Sequence, residues 1–384
     1  MHSAPKPHNW GNPPWRIDFI PSARGGLPDV LDFAVIGGGF TGLAAAAWLR
    51  KIAPEKSVTV LEAWKVGDGA SGRTGGMALS ESAAGDLPGL GDVLAGFKEI
   101  LGEFGVDCDQ RFAGAWEIAR KKGLAKSAIF WNDSGTLQVT KEVEGGTVDP
   151  GKLVSGLARA ADRLGALILE NHPVTDIAWR DIPEIAVTPR ASASRKISAR
   201  KIIFATNALS LKLSELEEGM HPKLTLAVAT EPVHEEQLAQ IGLAERKPFY
   251  TSDLPYLWGR VCENNSIIFG AGLVQAPHSD DLIDVDISAA EVPQIFDSLE
   301  KRVRGLHPAL KLVQFTHRWG GPILFRDSWE PIFMWHPEAK KTRNAIVISA
   351  FAGHGVALSS YLGRWGAEAL LGHRKLPSWG KLDS

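Results

Sequence analysis

Apolar residues near the start of the chain follow two distinct patterns. The unbroken run Phe33–Ile36 predicts a buried strand, and the alanine-rich stretch Leu43–Ile52 predicts a helix. Gly37–Gly42 lies between them as a predicted turn, and the apolar run Val58–Leu61 predicts a second strand. Together these patterns predict a strand–helix–strand unit over Phe33–Glu62.

The pattern then changes from mixed helix and strand to mainly strand. Helices are predicted over Asp92–Phe104 and Pro150–Leu164, and strands at Ala166–Glu170, Val174–Ala178, Ile185–Val187 and Lys196–Ala205. Residues 224–325 predict a mostly antiparallel sheet with one amphipathic helix, from the runs Leu224–Thr230, Tyr256–Cys262, Ile267–Gly270 and Ala289–Val303. A final strand, Ala345–Ser349, and helix, Val356–Leu371, indicate a return to the first sheet.

This order predicts an α/β (α+β) fold with two interleaved domains. A Rossmann-like nucleotide-binding domain is expected over residues 31–85, 147–223 and 335–384, and a mostly antiparallel substrate domain over 86–146 and 224–334. Residues 1–30 form an N-terminal arm containing Pro5, Pro7, Trp10, Pro13, Pro14 and Trp15. That arm is expected either to pack across the body through its tryptophans or to stay a loose tail.

Charge and cysteine content narrow the function classes. The formal net charge of −2 gives no basic field for nucleic acid or an anionic membrane. The two cysteines, Cys108 and Cys262, lie outside any CxxC or Cys/His cluster, so neither a disulfide framework nor a metal site is expected. Without a signal-like or membrane-spanning apolar run, the sequence predicts a soluble cytoplasmic protein of undetermined oligomeric state.

The turn after the first strand carries a GxGxxG pattern at Gly37, Gly39 and Gly42. In this setting the glycines permit a tight turn, close approach of a pyrophosphate and close helix packing, and the helix N-terminus faces the anion. Glu62 ends the second strand, where its carboxylate is expected to accept hydrogen bonds from an adenosine ribose. These features predict an adenine dinucleotide site but do not separate FAD from NAD.

The separation comes from the following segment, which reads VGDGASGRTGGM from Val66 to Met77. It resembles the GASGRxGG motif of the glycine oxidase and sarcosine oxidase-like FAD-dependent amine oxidoreductases, the D-amino-acid oxidase superfamily, and especially their gamma-glutamylputrescine oxidoreductase branch. In that family this loop lies along the pyrophosphate and ring of FAD. Physically, small residues keep side chains away from the cofactor while Ser71, Arg73 and Thr74 supply hydrogen-bond donors.

Three further segments match the family in order, from about Asp32 to Leu371. Val174 resembles the valine whose backbone meets the adenine, and Lys201–Ala208 resembles the strand and turn that pass the cofactor. Phe351–Val356, reading FAGHGV, is similar to the GYSGHGV-type turn before the last helix. That helix start is expected to stabilise a reduced flavin anion, with His354 as an added donor.

The resemblance implies FAD as the cofactor. The cysteine that carries FAD covalently in monomeric sarcosine oxidases would fall near Pro322, and neither cysteine of this chain is near it, so noncovalent binding is expected. The cofactor-binding residues it implies are Gly37, Gly39, Phe40, Thr41, Gly42, Glu62, Ala63, Ser71, Gly72, Arg73, Thr74, Gly75, Gly76, Met77, Val174, Ala205, Thr206, Asn207, Gly353, His354, Gly355 and Val356.

The substrate side departs from the family. Ile323 stands where glycine oxidases place an arginine that grips the substrate carboxylate, which favours a small primary or secondary amine. Expected chemistry is hydride transfer to flavin N5 to give an imine, with O2 as acceptor and H2O2 as product, although Ile268 replaces the oxygen-activating lysine of monomeric sarcosine oxidases. Candidate catalytic residues are His354, Trp319, Tyr256 and Arg326. An aromatic cavity is expected from Trp319, Trp329, Trp335, Phe325, Tyr250, Tyr256 and Trp258.

Several alternatives remain open on the sequence. Arg260 or Arg326 would let an amino acid bind from another direction, and an amine dehydrogenase would share the reductive half-reaction. An NAD-linked dehydrogenase leaves the GASGRTGG and FAGHGV segments without a purpose, and an RNA-modifying enzyme would need a basic surface. A protein that keeps FAD as a structural ligand is the third rival class.

Overall fold

The computed structural model describes residues 8–22, 25–190, 192–276, 281–289 and 291–382. Within them the strands, numbered in chain order, are β1 (Val30–Ile36), β2 (Val58–Leu61), β3 (Met77–Leu79), β4 (Ala115–Ala119), β5 (Phe130–Asn132), β6 (Thr136–Val143), β7 (Gly145–Thr147), β8 (Leu167–Leu169), β9 (Val174–Ala178), β10 (Glu184–Val187), β11 (Arg195–Phe204), β12 (Met220–Thr230), β13 (Phe249–Thr251), β14 (Trp258–Val261), β15 (Ile267–Gln275), β16 (Phe315–Arg326), β17 (Ile332–Trp335) and β18 (Ala345–Ser349).

The described residues contain eight α-helices, two of which begin at a capping aspartate. They are α1 (Phe40–Ile52), α2 (Val93–Phe104), α3 (Pro150–Arg163), α4 (Leu211–Ser214), α5 (Glu235–Gln240), α6 (Asp281–Asp284), α7 (Val292–Leu306) and α8 (Gly355–Leu370). Asp92 and Asp149 cap α2 and α3, each carboxylate accepting a backbone hydrogen bond at 2.8 Å. Pro150 occupies the first turn of α3, where its missing N–H costs nothing.

The first sheet has the order β17-β18-β11-β1-β2-β8, with β10 and β9 extending it from β11. Strand β1 runs parallel to β2 and β11, and β11 runs parallel to β18. Phe33 and Val35 pack with the helices, whereas Ala34 and Ile36 join the core on the opposite face, the period-two alternation of a strand. The predicted strand–helix–strand unit and the return of the last strand are confirmed, although α1 begins at Phe40 rather than Leu43.

The second sheet has the order β16-β12-β15-β14-β13-β4-β6-β5. Its pairs are antiparallel except for β13 and β4, so the predicted mostly antiparallel sheet is confirmed. The predicted helix Ala289–Val303 begins later, at Val292, with Pro293 in its first turn, and Ala290 lies outside the described residues. The fold class is confirmed, while the proposed domain boundaries stay a prediction.

The N-terminal arm packs across the body from His8 onward. Trp10 is fully buried, its indole Nε1 donates to the Leu282 carbonyl at 2.9 Å, and Gly11 bridges to Trp319 of β16. Farther on, Trp15 Nε1 donates to the Gly72 carbonyl at 2.7 Å. Of the two expectations for the arm, packing across the body through its tryptophans is therefore the one observed. Pro5 and Pro7 lie outside the described residues.

Candidate active site

A cavity of about 1450 Å³ is lined by residues from both large sheets. Its first wall comes from the glycine turn after β1, the end of β2 and the turn after β11, and its second wall from β12 to β16. The turn before α8 closes one side. A cavity above the usual range for a single small ligand has room for a dinucleotide and a substrate together.

The glycine turn has the backbone that its sequence predicts. Gly37 has a φ of +105°, and a Cβ there would stand 2.6 Å from the Ala205 carbonyl oxygen. A Cβ at Gly42 would stand 2.0 Å from the Gly37 carbonyl oxygen, so Gly42 lets α1 pack against its own turn. Gly37 and Gly39 line the cavity, while Gly42 acts from behind it.

The start of α1 is completed by a residue from the next loop. Ser71 Oγ accepts a hydrogen bond from the Phe40 N–H at 2.9 Å, and Gly39, Phe40 and Thr41 all line the cavity. The first-turn N–H groups of a helix have no partner within the helix, and the helix dipole makes that end positive. This end of the cavity is thus suited to a phosphate group.

Glu62 closes the end of β2 as a buried carboxylate. Its Oε2 accepts a hydrogen bond from the Gly38 N–H at 2.7 Å, and its Oε1 accepts one from the Trp64 N–H at 2.9 Å. Burial raises the pKa of Glu62 to about 7, although the two backbone hydrogen bonds lower it. Two anchored oxygens with spare lone pairs are suited to accept hydrogen bonds from a ribose.

The loop between Val66 and Met77 is held from both sides by indole rings. A Cβ at Gly75 would stand 2.1 Å from the Trp258 ring, and a Cβ at Gly270 would stand 2.0 Å from the same ring. Trp258 therefore fills the gap between the loop and β15. On the arm side, Trp319 Nε1 donates to the Arg73 carbonyl at 2.9 Å. The Trp258 contact depends on the absence of side chains at Gly75 and Gly270.

Arg73 lines the cavity, but its guanidinium is engaged with the N-terminal arm. Nη1 donates to the Gly11 carbonyl at 2.6 Å, and Nη2 lies 3.3 Å from Asp68 Oδ1. His8 Nε2 lies 3.3 Å from the other Asp68 oxygen, and its ring stacks on Trp10 at 3.8 Å. The sequence interpretation of Arg73 as a donor to the cofactor did not foresee this contact with the arm.

The turn before α8 has an unusual backbone. Ala350, Ala352 and Gly353 have φ values of +57°, +47° and +90°, so two non-glycine residues occupy the left-handed region. The side chain of Asn207 helps to hold them, since its Oδ1 accepts a hydrogen bond from the Ala350 N–H at 3.1 Å. Ile323 Cδ1 would lie 3.4 Å from a Cβ at Gly353, so β16 packs against this turn.

His354 directly precedes α8 and lines the cavity. Burial lowers the pKa of the His354 imidazole, while the Ala352 carbonyl and the charge of Glu81 raise it in part. Its Nδ1 lies 3.4 Å from the Ala352 carbonyl oxygen. A neutral imidazole at this position can both donate and accept a hydrogen bond.

The cavity brings together nearly all residues predicted to bind the cofactor. Lining residues among them are Gly37, Gly39, Phe40, Thr41, Glu62, Ala63, Ser71, Arg73, Thr74, Gly75, Met77, Val174, Ala205, Thr206, Asn207, Gly353, His354, Gly355 and Val356. Gly42, Gly72 and Gly76 are not among them. Gly72 and Gly76 act sterically, because a Cβ would stand 2.4 Å from the Gly67 carbonyl oxygen and 2.2 Å from that of Val148.

The predicted substrate residues divide into two groups. Trp319 and Tyr256 line the cavity together with Trp329, Phe325, Tyr250, Trp258 and Ile323, whereas Trp335 does not. Arg326 and Arg260 also lie elsewhere: Arg326 Nη1 donates to the Lys381 carbonyl at 3.0 Å, and Arg260 Nε donates to the Gly75 carbonyl. The structure thus does not bring Arg326, a predicted catalytic residue, to the cavity.

Two carboxylates in the cavity wall were missed by the sequence interpretation. Glu81 follows β3, and Glu117 stands in β4 between buried Trp116 and buried Ile118. A charged residue inside a short apolar strand was the available signal for Glu117. No comparable local signal marked Glu81.

Other features of the described residues bear on partners. None of their helices combines the length and apolar character needed to cross a bilayer. They also contain no group of three or more His, Cys, Asp or Glu side chains placed to hold a metal ion. Cys108 is buried and Cys262 is half-buried, and both are free thiols outside the cavity lining.

Comparison with known sequences gives a match over most of the chain. A family model described as FAD dependent oxidoreductase (DAO) matches residues 32–369. Gamma-glutamylputrescine oxidoreductase of Escherichia coli strain K12 is 29% identical over 384 aligned residues, covering 89% of this chain and 84% of that protein.

Solved structures share the fold at low identity. Glycine oxidase from Geobacillus kaustophilus gives a TM-score of 0.71 at 17% identity, covering 91% of this chain and 96% of that one. L-proline dehydrogenase from P. horikoshii gives a TM-score of 0.67 at 20% identity with the same coverage of both chains. At these identities the likeness concerns the fold.

Proposed function

Because the chain belongs to the DAO family of FAD-dependent oxidoreductases, we propose that it oxidises a small primary or secondary amine to an imine. The observation that carries this proposal is the substrate wall of the cavity. Ile323 lies there instead of an arginine, and the lining guanidinium groups of Arg73 and Arg302 already hold Asp68 and Asp133. A substrate carboxylate would therefore lack a free arginine partner among the described lining residues.

The residues of the first wall fit FAD as the cofactor. A Cβ at Gly39 would stand 2.7 Å from Ser71 Oγ, so this cradle stays open only with glycine. Gly37–Thr41 would hold the pyrophosphate, Glu62 the ribose, and Val174 the adenine. Noncovalent binding is supported by the position of both cysteines outside the lining.

The flavin, when bound, supplies the hydride acceptor at N5 for the carbon beside the substrate nitrogen. The protein residues orient the amine and exclude water. The amine reacts in its neutral form, because the nitrogen lone pair supports loss of the hydride, and Trp258 and Trp319 contribute surface that limits water in the cavity. Neutral His354 can donate or accept one hydrogen bond at the edge of the cavity.

Molecular oxygen is the proposed electron acceptor, giving H2O2. Ile268 is fully buried in a small apolar cluster with Ala227, Ala229 and Trp319, so it presents no charge there. An amine dehydrogenase with another acceptor therefore remains the alternative for this half-reaction, as does an amino-acid oxidase for the substrate. A protein that holds FAD without turnover is the alternative of another class.

An anaerobic substrate panel tests the proposal. The purified flavoprotein is mixed with primary amines, secondary amines, polyamines, and D- and L-amino acids, and the loss of flavin absorbance is followed before oxygen is readmitted. We expect amines to reduce the flavin and oxygen to restore it with H2O2 formation. Reduction by amino acids alone supports the oxidase alternative, and reduction without reoxidation supports the dehydrogenase. If no compound reduces the flavin, the non-catalytic alternative replaces the proposal.

A further inference from the structure

A row of residues crosses the second sheet along the floor of the cavity. Strand register aligns Trp319 with Ala227, Ala227 with Gly270, and Gly270 with Trp258. It then aligns Trp258 with Tyr250, and Tyr250 with Glu117. Register partners on neighbouring strands project to the same face of a sheet. The row therefore has the indole of Trp319 at one end, the indole of Trp258 within it and the carboxylate of Glu117 at the other end.

A second carboxylate reaches the acidic end of the row from the first domain's loop. Glu81, Glu117 and Tyr250 all line the cavity. Burial raises the pKa of the Tyr250 hydroxyl, and the charges of Glu81 and Glu117 and a hydrogen bond with Glu81 raise it further. Glu81 also acts on the imidazole of His354. The two carboxylates and the turn before α8 thus bound one part of the cavity.

Two basic residues bear on this end of the row, Arg302, and Lys141, which projects to the same face of the sheet as Glu117. Arg302 lines the cavity, but its Nη2 lies 2.6 Å from Asp133 and also donates to the Pro255 carbonyl at 2.7 Å. Lys141, the register partner of Glu117 on β6, is exposed and outside the lining. Glu117 accepts a hydrogen bond from the Thr140 hydroxyl at 3.3 Å.

We propose that Glu81 and Glu117, which line the cavity together with Tyr250, bind a second positive charge of the substrate, so that the protein prefers diamines to monoamines. This inference rests on the proposed amine oxidation and names the substrate class of the same cavity. Two strand spacings of about 4.8 Å separate Glu117 from Trp258, about 10 Å in all. A four- or five-carbon chain with an ammonium group at its far end can span most of that distance, and the side chains of Glu117 and Trp258 cover the rest.

Substrates matched in chain length test the preference. Diaminobutane, butylamine and 4-aminobutyrate share a four-carbon chain with an amine at the first carbon. The fourth carbon carries an ammonium group in the first compound, is a methyl group in the second and is a carboxylate in the third. We expect kcat/KM to be at least about tenfold higher for diaminobutane than for either of the others, since one charge-assisted contact corresponds to about that factor. Equal values for diaminobutane and butylamine, or the highest value for aminobutyrate, overturn the inference while the amine oxidation stands.

Binding of unreactive cations tests the site without turnover. Bis(trimethylammonium)butane carries two charges, butyltrimethylammonium carries one, and neither has a nitrogen lone pair to support oxidation. Calorimetric titration of the flavin-loaded protein should give at least about tenfold tighter binding of the dication. Equal affinities overturn the inference even if no amine reduces the flavin, in which case the proposed function fails as well.

Isosteric neutral variants identify the residues. Glu81→Gln and Glu117→Gln should each reduce the diamine-to-monoamine preference by about tenfold and narrow the affinity gap between the two unreactive cations. Glu236→Gln makes the same change at an exposed position outside the lining and serves as the matched control. If both cavity variants keep the wild-type preference and affinity gap, the carboxylates do not bind the second charge.

Discussion

At the scale of single residues, several side chains serve to hold the cavity wall in place. Arg73 connects the loop to the N-terminal arm, Asn207 holds the turn before α8, and Ser71 completes the start of α1. Each was predicted as a cofactor-binding residue from its motif. The structure adds a protein contact for each, so its substitution is expected to affect the cofactor and the wall together.

Gly39→Asp tests the phosphate end of the cavity. A carboxylate there would meet the pyrophosphate without a partner, which costs about 3–5 kcal/mol. We expect FAD binding to weaken by at least about a hundredfold, measured as flavin content and as the Kd for added FAD. Gly39→Ala is the control for the added Cβ, which would stand 2.7 Å from Ser71 Oγ in both variants, so the difference in FAD binding between the two variants measures the effect of the carboxylate. Wild-type flavin content in a folded Asp variant would rule out this site.

Arg73→Ala tests the contact between loop and arm. The change leaves the Gly11 carbonyl and the Asp68 carboxylate without this partner, at a cost of roughly 1–3 kcal/mol in stability. We expect a lower melting temperature of the flavin-free protein in addition to weaker FAD binding. An unchanged melting temperature with weaker FAD binding would instead indicate that Arg73 acts on the cofactor alone.

At the scale of elements, local patterns predicted most helices and strands, whereas contacts between distant strands escaped prediction. The strands Val174–Ala178 and Ala345–Ser349 were predicted at their observed bounds. Ala345–Ser349 is a nearly unbroken apolar run, whereas Val174, Thr175 and Ile177 are β-branched residues typical of strands. The row from Trp319 to Glu117 was not predicted. Its members come from six strands, and register between distant strands is set by packing that one sequence does not display.

Deletion of residues 1–16 tests the N-terminal arm as an element. The deletion removes Trp10 and Trp15, opens the face of Trp319 and frees the Gly72 carbonyl. Loss of one buried tryptophan alone costs about 3–5 kcal/mol, so we expect a markedly lower melting temperature and loss of flavin on gel filtration. A chain beginning at His8 keeps the contacts described above and is the control. Equal stability of both truncated chains would show that the arm does not support the loop.

At the scale of the whole molecule, the cavity exists because two sheets and one loop meet around it. The first wall carries the buried carboxylate of Glu62, while Glu81, after β3, and Glu117, in β4, lie at the end of the aromatic row. Stability and ligand preference therefore both depend on negative charges enclosed between the sheets. The effect of Glu62 should be visible when the stability of the flavin-free protein is measured as a function of pH.

Glu62→Gln tests the effect of that charge on folding. The pKa of Glu62 rises from an ordinary 4.5 to about 7 on folding, so its stabilising effect is complete below 4.5 and is lost as pH rises through 7. The loss of folding stability over this pH range corresponds to about 3 kcal/mol. Burial lowers the pKa of His336 to about 4, so this residue adds stability as pH rises, the opposite of the effect of Glu62. His336 is present in both the wild type and the variant, so its effect cancels in the comparison. Relative to wild type, the Gln variant should gain stability between pH 4.5 and 7 in denaturant titrations; a constant difference would contradict this.

The N-terminal arm also has a consequence for the order of biosynthesis. Trp10 leaves the ribosome early, yet the carbonyl that its indole binds belongs to Leu282, 272 residues later. Among the other residues that contact Trp10 or Gly11, Trp64 and Arg73 are translated before Leu282, whereas Trp319 and Gly320 emerge later still. The arm therefore cannot complete its contacts until residue 320 has been translated. Its docking is expected to be among the last steps of maturation, and a ribosome stalled before residue 282 would carry an arm that proteases can still cut.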